Sequence, residues 1–210
     1  MTKRLLLSVA FISLVLFVLG CEIRSAGLTR AGAESNSSAP ENRVPGTEDS
    51  QPLKSPLREP KIVVKKSQRQ LLLFSGNRLI RTYRIGLGLS PVGDKVRAGD
   101  RRTPEGDFYI FTKNDKSAFY LSLGVSYPNA AHAERGLRDG LISRAQYEAI
   151  TRALKARQTP PQNTRLGGDI YIHGNGARSD WTWGCVALEN EDVHELFGAV
   201  GVGTPVTIQP

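Results

Sequence analysis

Cysteine and histidine are scarce in this chain of 210 residues, which holds two of the first and three of the second. Two cysteines exclude a multi-bridge disulfide framework and a cysteine-rich zinc module. His132, His173 and His194 lack the short fixed spacing of metal ligands on a helix, so no metal is expected. Phosphate-loop chemistry is missing too. Gly86-Leu-Gly88 and Gly99-Asp100 are not followed by a helix-opening glycine pattern, and no cofactor is expected. Aromatic residues make up only 7% of the chain, no RNA-binding aromatic motif occurs, and the basic residues are scattered, which argues against nucleic acid as a partner. Acidic residues are in deficit, 20 against 28 basic, for a net charge of +8 that suits anionic polymers.

Long apolar runs are also lacking, with one exception. Lys3 and Arg4 precede an almost unbroken apolar stretch from Leu5 to Leu19. It falls about five residues short of the roughly 20 that span hydrocarbon, and the layout is that of a cleaved export signal over residues 1–20. Val18-Leu19-Gly20-Cys21 resembles a bacterial lipobox, although Leu19 is bulkier than usual at its place. That resemblance implies lipidation of Cys21 and a membrane partner reached through the lipid. Ordinary secretion with cleavage nearby is the alternative. Loss of Lys3 and Arg4 leaves 26 basic against 20 acidic residues, or +6. If Cys21 is consumed, Cys185 is an unpaired thiol in an exported protein, which calls for a reason.

Residues 21–60, rich in Ser, Pro, Glu, Gly and Asn, predict a disordered tether. Residues 61–210 read as a folded, mostly β domain. Lys61-Ile-Val-Val-Lys, Gln70-Leu-Leu-Leu-Phe, Leu79 to Ile85 and Asp107 to Phe111 are strand-like, and Ser75-Gly76-Asn77 marks a hairpin over residues 70–85. Two helices interrupt the pattern. One begins at Ser143 with Gln146 completing a capping box, and the second is capped by Asn190, with Val193, Leu196, Phe197 and Val200 on its apolar face. A last strand runs through Pro205-Val-Thr-Ile. His132 is expected in a polar loop, and His194 beside the apolar stripe of its helix, both facing solvent.

In Gly168-Asp-Ile-Tyr-Ile-His-Gly, alternation puts Asp169, Tyr171 and His173 on one strand face, with His173 at the strand end. Thr182-Trp-Gly-Cys185 follows twelve residues later. A thiol with pKa near 8.5 is mostly protonated at neutral pH, so a neighbouring imidazole is what turns it into a nucleophile. Gly184 leaves room beside the thiol, and the N–H groups of Gly184 and Cys185 are candidate oxyanion donors. A small buried Cys with a satisfied core His would give the same spacing, so that reading stays open on the pair alone.

The surrounding text decides more. Ile172-His-Gly, then Asp180-Trp-Thr-Trp-Gly-Cys-Val-Ala-Leu-Glu-Asn, Tyr127-Pro-Asn129, and upstream Gly99-Asp-Arg-Arg-Thr-Pro-Glu-Gly-Asp-Phe resemble the YkuD-type L,D-transpeptidase family from about Ile62 to Ile208. The resemblance implies a β-sandwich of mixed sheets with flanking helices, acting on peptidoglycan stem peptides. It implies Cys185 as nucleophile, His173 as base, and Gly174 as the residue whose carbonyl orients His173. One departure stands out. Most members carry His directly before Gly-Cys, where this chain has Trp183, which is expected to alter the pocket wall. The Asp-Trp-Thr-x-Gly-Cys form looks like a sub-branch with hydrolases and amidases beside transferases, so wall cross-linking, release of a wall-attached lipoprotein and non-catalytic wall binding all remain readings. Trp183, Tyr127, Asn129 and Arg178 are candidate substrate contacts, with turn packing or solvation as the alternative for the last three. The expected location is the cell envelope, outside the cytoplasm.

Overall fold

The computed structural model describes residue 53 and residues 55–210, all within one unit, Pro45–Pro210. The export signal, Cys21 and most of the expected tether lie outside the described residues. Three strands open the domain: β1 (Pro60–Lys65), β2 (Gln70–Ser75) and β3 (Arg78–Arg84). Gly76, at φ +57°, turns β2 into β3 as its chemistry predicts, pairing Ser75 with Arg78. In β1 the alternating Ile62 and Val64 are fully buried, a two-residue period that sets which face is core.

The other strands are β4 (Gly106–Ser117), β5 (Tyr120–Val125), β6 (Tyr171–His173), β7 (Val186–Ala187) and β8 (Pro205–Gln209). They join one mixed sheet in the order β3-β2-β1-β8-β4-β5-β6-β7. The expected mixed sheets are its two halves, and β4 belongs to both. Its first residues pair with β8, from Gly106 opposite Ile208 to Tyr109 opposite Pro205, while Ile110 onward pairs with β5. The sheet also curls. Gly86, just beyond β3 at one edge, exchanges both main-chain hydrogen bonds with Ala187 of β7 at the other, at 2.9 and 2.8 Å. A side chain at Gly86 would meet the Ser179 carbonyl at 2.3 Å, so this edge-to-edge contact requires glycine.

The core fills the inside of the curl. Ile62, Leu71, Leu73, Ile110, Leu123 and Ile172 are fully buried there, each stabilising by about 2 kcal/mol on area grounds. Leu53 and Leu57 pack against the same core, so the folded part begins before Lys61.

Three helices are present among the described residues, one more than expected. The helix α2 (Arg144–Lys155) starts as its sequence predicts, Ser143 accepting from the Gln146 N–H at 3.2 Å and donating its own N–H to Gln146 Oε1 at 2.9 Å. The helix α3 (Asn190–Ala199) has Glu189, not Asn190, at the capping position, and no side chain caps it. Asn190 instead accepts from the Asn175 N–H at 2.9 Å. The unforeseen helix is α1 (Ala130–Arg138), capped by Asn129 accepting from the His132 N–H at 3.1 Å. Gly136 hides it in the sequence as a helix breaker, yet a Cβ there would sit 2.8 Å from Leu166, so close packing explains it.

Candidate active site

Parallel pairing of β6 with β7 sets Ile172 opposite Val186 and His173 opposite Ala187. One step back along that register, Cys185 lies beside Tyr171, whose N–H donates to Sγ at 3.4 Å. Tyr171 and His173 share a strand face, so sheet register alone brings thiol and imidazole to one place. With Phe119, Ser122 and Asp169 they line a cavity of about 330 Å³.

The imidazole has a defined tautomer. Nδ1 lies 2.7 Å from the Gly174 carbonyl, which can only accept, so Nδ1 carries the hydrogen and Nε2 keeps its lone pair. Phe119 stacks on the ring at 4.6 Å between centroids and Trp181 meets it edge-on at 5.5 Å. Burial lowers the His173 pKa against the opposing pull of the Gly174 carbonyl, which favours the neutral base. Gly174 is itself constrained. A Cβ would lie 2.5 Å from Asn190 Oδ1 and 3.0 Å from the Phe119 carbonyl, so the residue that orients His173 is wedged between α3 and the β4–β5 turn.

Burial also pushes the Cys185 thiol up to about 11, with the Asp169 carboxylate raising it further while the Tyr171 N–H and Lys95 act the other way. The thiol donates to the Asp169 carbonyl at 3.4 Å, and Asp169 holds the left-handed φ of +55°. Burial thus favours a protonated sulfur, held by main chain, beside a neutral imidazole.

Two hydroxyls fix the backbone of Cys185. Thr182 Oγ1 donates to the Cys185 carbonyl at 2.8 Å and accepts from the Gly184 N–H at 3.1 Å; Thr103 Oγ1 reaches the same carbonyl at 3.4 Å. The Gly184 N–H is therefore engaged, and the expectation that it serves as an oxyanion donor is corrected: of the expected pair, only the Cys185 N–H carries no such bond. Gly184 is still indispensable, because at φ +127° a Cβ would lie 2.7 Å from the Arg102 carbonyl.

The expected substrate contacts do not gather at the thiol. Tyr127 is fully buried and donates to the Leu166 carbonyl at 3.0 Å, a core residue. Asn129 is the α1 cap, with its amide also donating to the Asp107 carbonyl. Trp183 is 65% exposed, lies under the Arg101 guanidinium at 4.7 Å, and does not line the thiol cavity, so it forms no part of that pocket wall. Arg178 lies on a separate groove of about 750 Å³ that shares only Phe119 with the thiol cavity. His194 is exposed, as expected, but His132 is not in a loop: it is 1% exposed on α1, with Nε2 3.0 Å from Asp94 and Nδ1 2.6 Å from Asn129. Burial raises the Asp94 pKa, yet bonds from His132, the Glu105 N–H and Arg135 outweigh it and hold the carboxyl well below its usual range. This cluster ties α1 to the loop that carries Thr103. Sequence reasoning gave no role to Thr103, although it lies in the Gly99 to Phe108 motif, and missed Phe119, which reaches the site from the β4–β5 turn with no periodic signal.

A family model described as the L,D-transpeptidase catalytic domain (YkuD) matches residues 59–208. No curated protein matches the chain. Among solved structures, the helical cell shape determining protein Pgp2 (K307A mutant) from Campylobacter jejuni is 21% identical, with a TM-score of 0.48 over 74% of this chain and 48% of that one. Bd1075 from Bdellovibrio bacteriovorus is likewise 21% identical, at TM-score 0.48 over 73% and 48%. An L,D-transpeptidase from Mycobacterium smegmatis is 12% identical, at TM-score 0.43 over 72% and 59%. This chain thus spans about half the length of the solved structures it matches.

Proposed function

The chain belongs to the L,D-transpeptidase catalytic domain family, and on that premise we propose that it is a peptidoglycan-modifying cysteine enzyme acting on stem-peptide amides through an acyl-enzyme. The observation that carries this reading is that His173 and Cys185 line one cavity, and with Nδ1–H given to the Gly174 carbonyl, Nε2 is the ring nitrogen that keeps a lone pair. Once an amide displaces the thiol from the Asp169 carbonyl, Sγ attacks the amide carbon as its proton passes to His173 Nε2. The tetrahedral oxyanion draws on the Cys185 N–H. His173 returns the proton to the departing amine, the C–N bond breaks, and a thioester remains on Cys185. A second amine, or water, then attacks the thioester, giving its proton to His173 and restoring the thiol.

Amine attack makes a cross-link, and water attack makes the enzyme an amidase that can release wall-attached peptides or lipoproteins. The proposed location is the extracytoplasmic envelope, with export directed by residues 1–20 and anchorage through a lipidated Cys21. Muropeptide profiling of peptidoglycan treated with the full chain is the test. Wild type should change the profile, and Cys185→Ala should leave it as found while melting at the same temperature. Full activity of Cys185→Ala would refute the mechanism.

A further inference from the structure

Beyond the thiol cavity lies a smaller one of about 160 Å³, lined by Arg69, Arg84, Arg178 and Asp180. Three arginines and one carboxylate line it, and that carboxylate is already committed. Asp180 accepts from Arg69 Nε at 3.0 and 3.2 Å and from Arg69 Nη2 at 2.7 Å, and its Oδ1 takes the Leu87 N–H at 2.9 Å as well. Arg84 has only the Arg178 carbonyl, at 3.5 Å, and both Arg84 and Arg178 are exposed without an acidic partner among the described residues. The adjoining groove carries two acids, Glu189 and Glu191, of which Glu189 accepts from the Ala177 N–H at 3.0 Å.

Like charges facing one small space repel, and an anion between them replaces that repulsion with charge-assisted hydrogen bonds. The planar guanidinium fork matches a carboxylate in two-point contact. The pocket also continues, through Arg178 and Ser179, into the larger groove, where Asn175 and Asn190 stand beside Phe119 and Trp181, the two rings that back onto His173. Side-chain amides next to aromatic faces suit a peptide backbone. We propose that Arg84 and Arg178, backed by Arg69, form a subsite for a free carboxylate on a peptide that lies along this groove toward His173. That the peptide is a reactant rests on the function proposed above; the preference for its carboxylate does not.

The test is binding by the full chain of N-acetyl-alanyl-alanine and of the same dipeptide with an amidated C-terminus, followed by titration of amide resonances. The free acid should shift the N–H signals of Arg84 and Ser179 and bind about tenfold tighter than the amide, the factor that 1.4 kcal/mol of charge-assisted contact represents. Arg84→Gln and Arg178→Gln should each weaken the acid about tenfold and leave the amide unchanged, and since both side chains are exposed their melting temperatures should equal wild type. Equal affinity for acid and amide, acid binding that survives the double variant, or tighter binding of inorganic phosphate than of the acid would each overturn the proposal. Binding is read without turnover, so Cys185→Ala should retain it, and the subsite and the reaction fail or stand separately.

Discussion

Raising the pH over the resting protein interrogates the thiol directly. Because burial holds Cys185 at about 11, its thiolate, the reactive form, should be scarce at ordinary pH. Roughly one molecule in 1,000 carries it at pH 8, against about one in four for a free thiol with pKa near 8.5. Single-site labelling by iodoacetamide, followed by intact mass, should therefore accelerate ~tenfold per pH unit from 7 to about 10 and level off only near 11. Cys185→Ala reports any labelling elsewhere. His173, whose pKa is lowered, should leave no inflection near neutrality. The same shift has a consequence for stability. A folded-state pKa raised from 9.0 to about 11 means the fold prefers the protonated sulfur, so this contribution is complete below pH 9 and is lost as pH rises toward 11, by roughly 3 kcal/mol in all. A labelling profile that levels off by pH 8.5, or that steps with an imidazole, would refute the reasoning and imply a standing thiolate–imidazolium pair.

His173→Gln removes the proton acceptor and should cut turnover by about 10²–10⁴-fold, with the labelling profile above largely kept; turnover within twofold of wild type would assign the base elsewhere. Thr182→Val removes the donor to the Cys185 carbonyl and strands the buried Gly184 N–H. A loss of about 2–4 kcal/mol should appear in urea unfolding, with Thr182→Ser recovering most of it, and equal stability of all three would contradict the role given to this hydroxyl. Trp183→Phe should leave Cys185 labelling within about twofold of wild type, as expected for an exposed side chain outside the cavity; a larger change would restore Trp183 to the pocket. Cys21→Ser should shift the protein out of the membrane fraction, whereas N-terminal mass analysis of wild type finding an unmodified start beyond Cys21 would leave ordinary secretion.

Much of this fold is written in local patterns. The β2–β3 hairpin follows from Gly76 and Asn77, α2 from its capping box, and the shared face of Tyr171 and His173 from simple alternation. Where sequence reasoning fell short, non-local packing decided. Helix α1 contains Gly136 because Leu166 presses on it, and His132 looks like a loop residue until Asp94, 38 positions away, is seen to hold it. The same holds for the substrate contacts. The aromatic face of Tyr127 suits a ligand, but burial makes that face core, and nothing local distinguishes the two uses of a tyrosine. The Gly174 carbonyl is a local partner of His173, one residue on, whereas Cys185 meets Tyr171 and Asp169 across 14 and 16 residues and the hydroxyl of Thr103 from 82 away.

Trp183, standing directly before Gly184-Cys185 where the resemblance leads one to expect histidine, also takes on a different meaning in three dimensions. The Cys185 backbone is held on both sides of position 183 without the Trp183 side chain: Thr182 bonds the Cys185 carbonyl and the Gly184 N–H, and the Arg102 carbonyl packs where Gly184 has no Cβ. Trp183 points outward, under Arg101. A side chain in that position can vary without moving sulfur or imidazole, because neither depends on it for a hydrogen bond or a ring contact. The side chains at the α3 N-terminus orient the loop after Gly174, Asn190 and Glu189 accepting from the Asn175 and Ala177 N–H groups. What remains to favour a thiolate is the Tyr171 N–H and the more distant Lys95, too little to offset burial in the resting protein. In the proposed mechanism, ionisation of Cys185 is therefore coupled to the arrival of the amide, which would displace the thiol from the Asp169 carbonyl and leave His173 Nε2 as the acceptor for its proton.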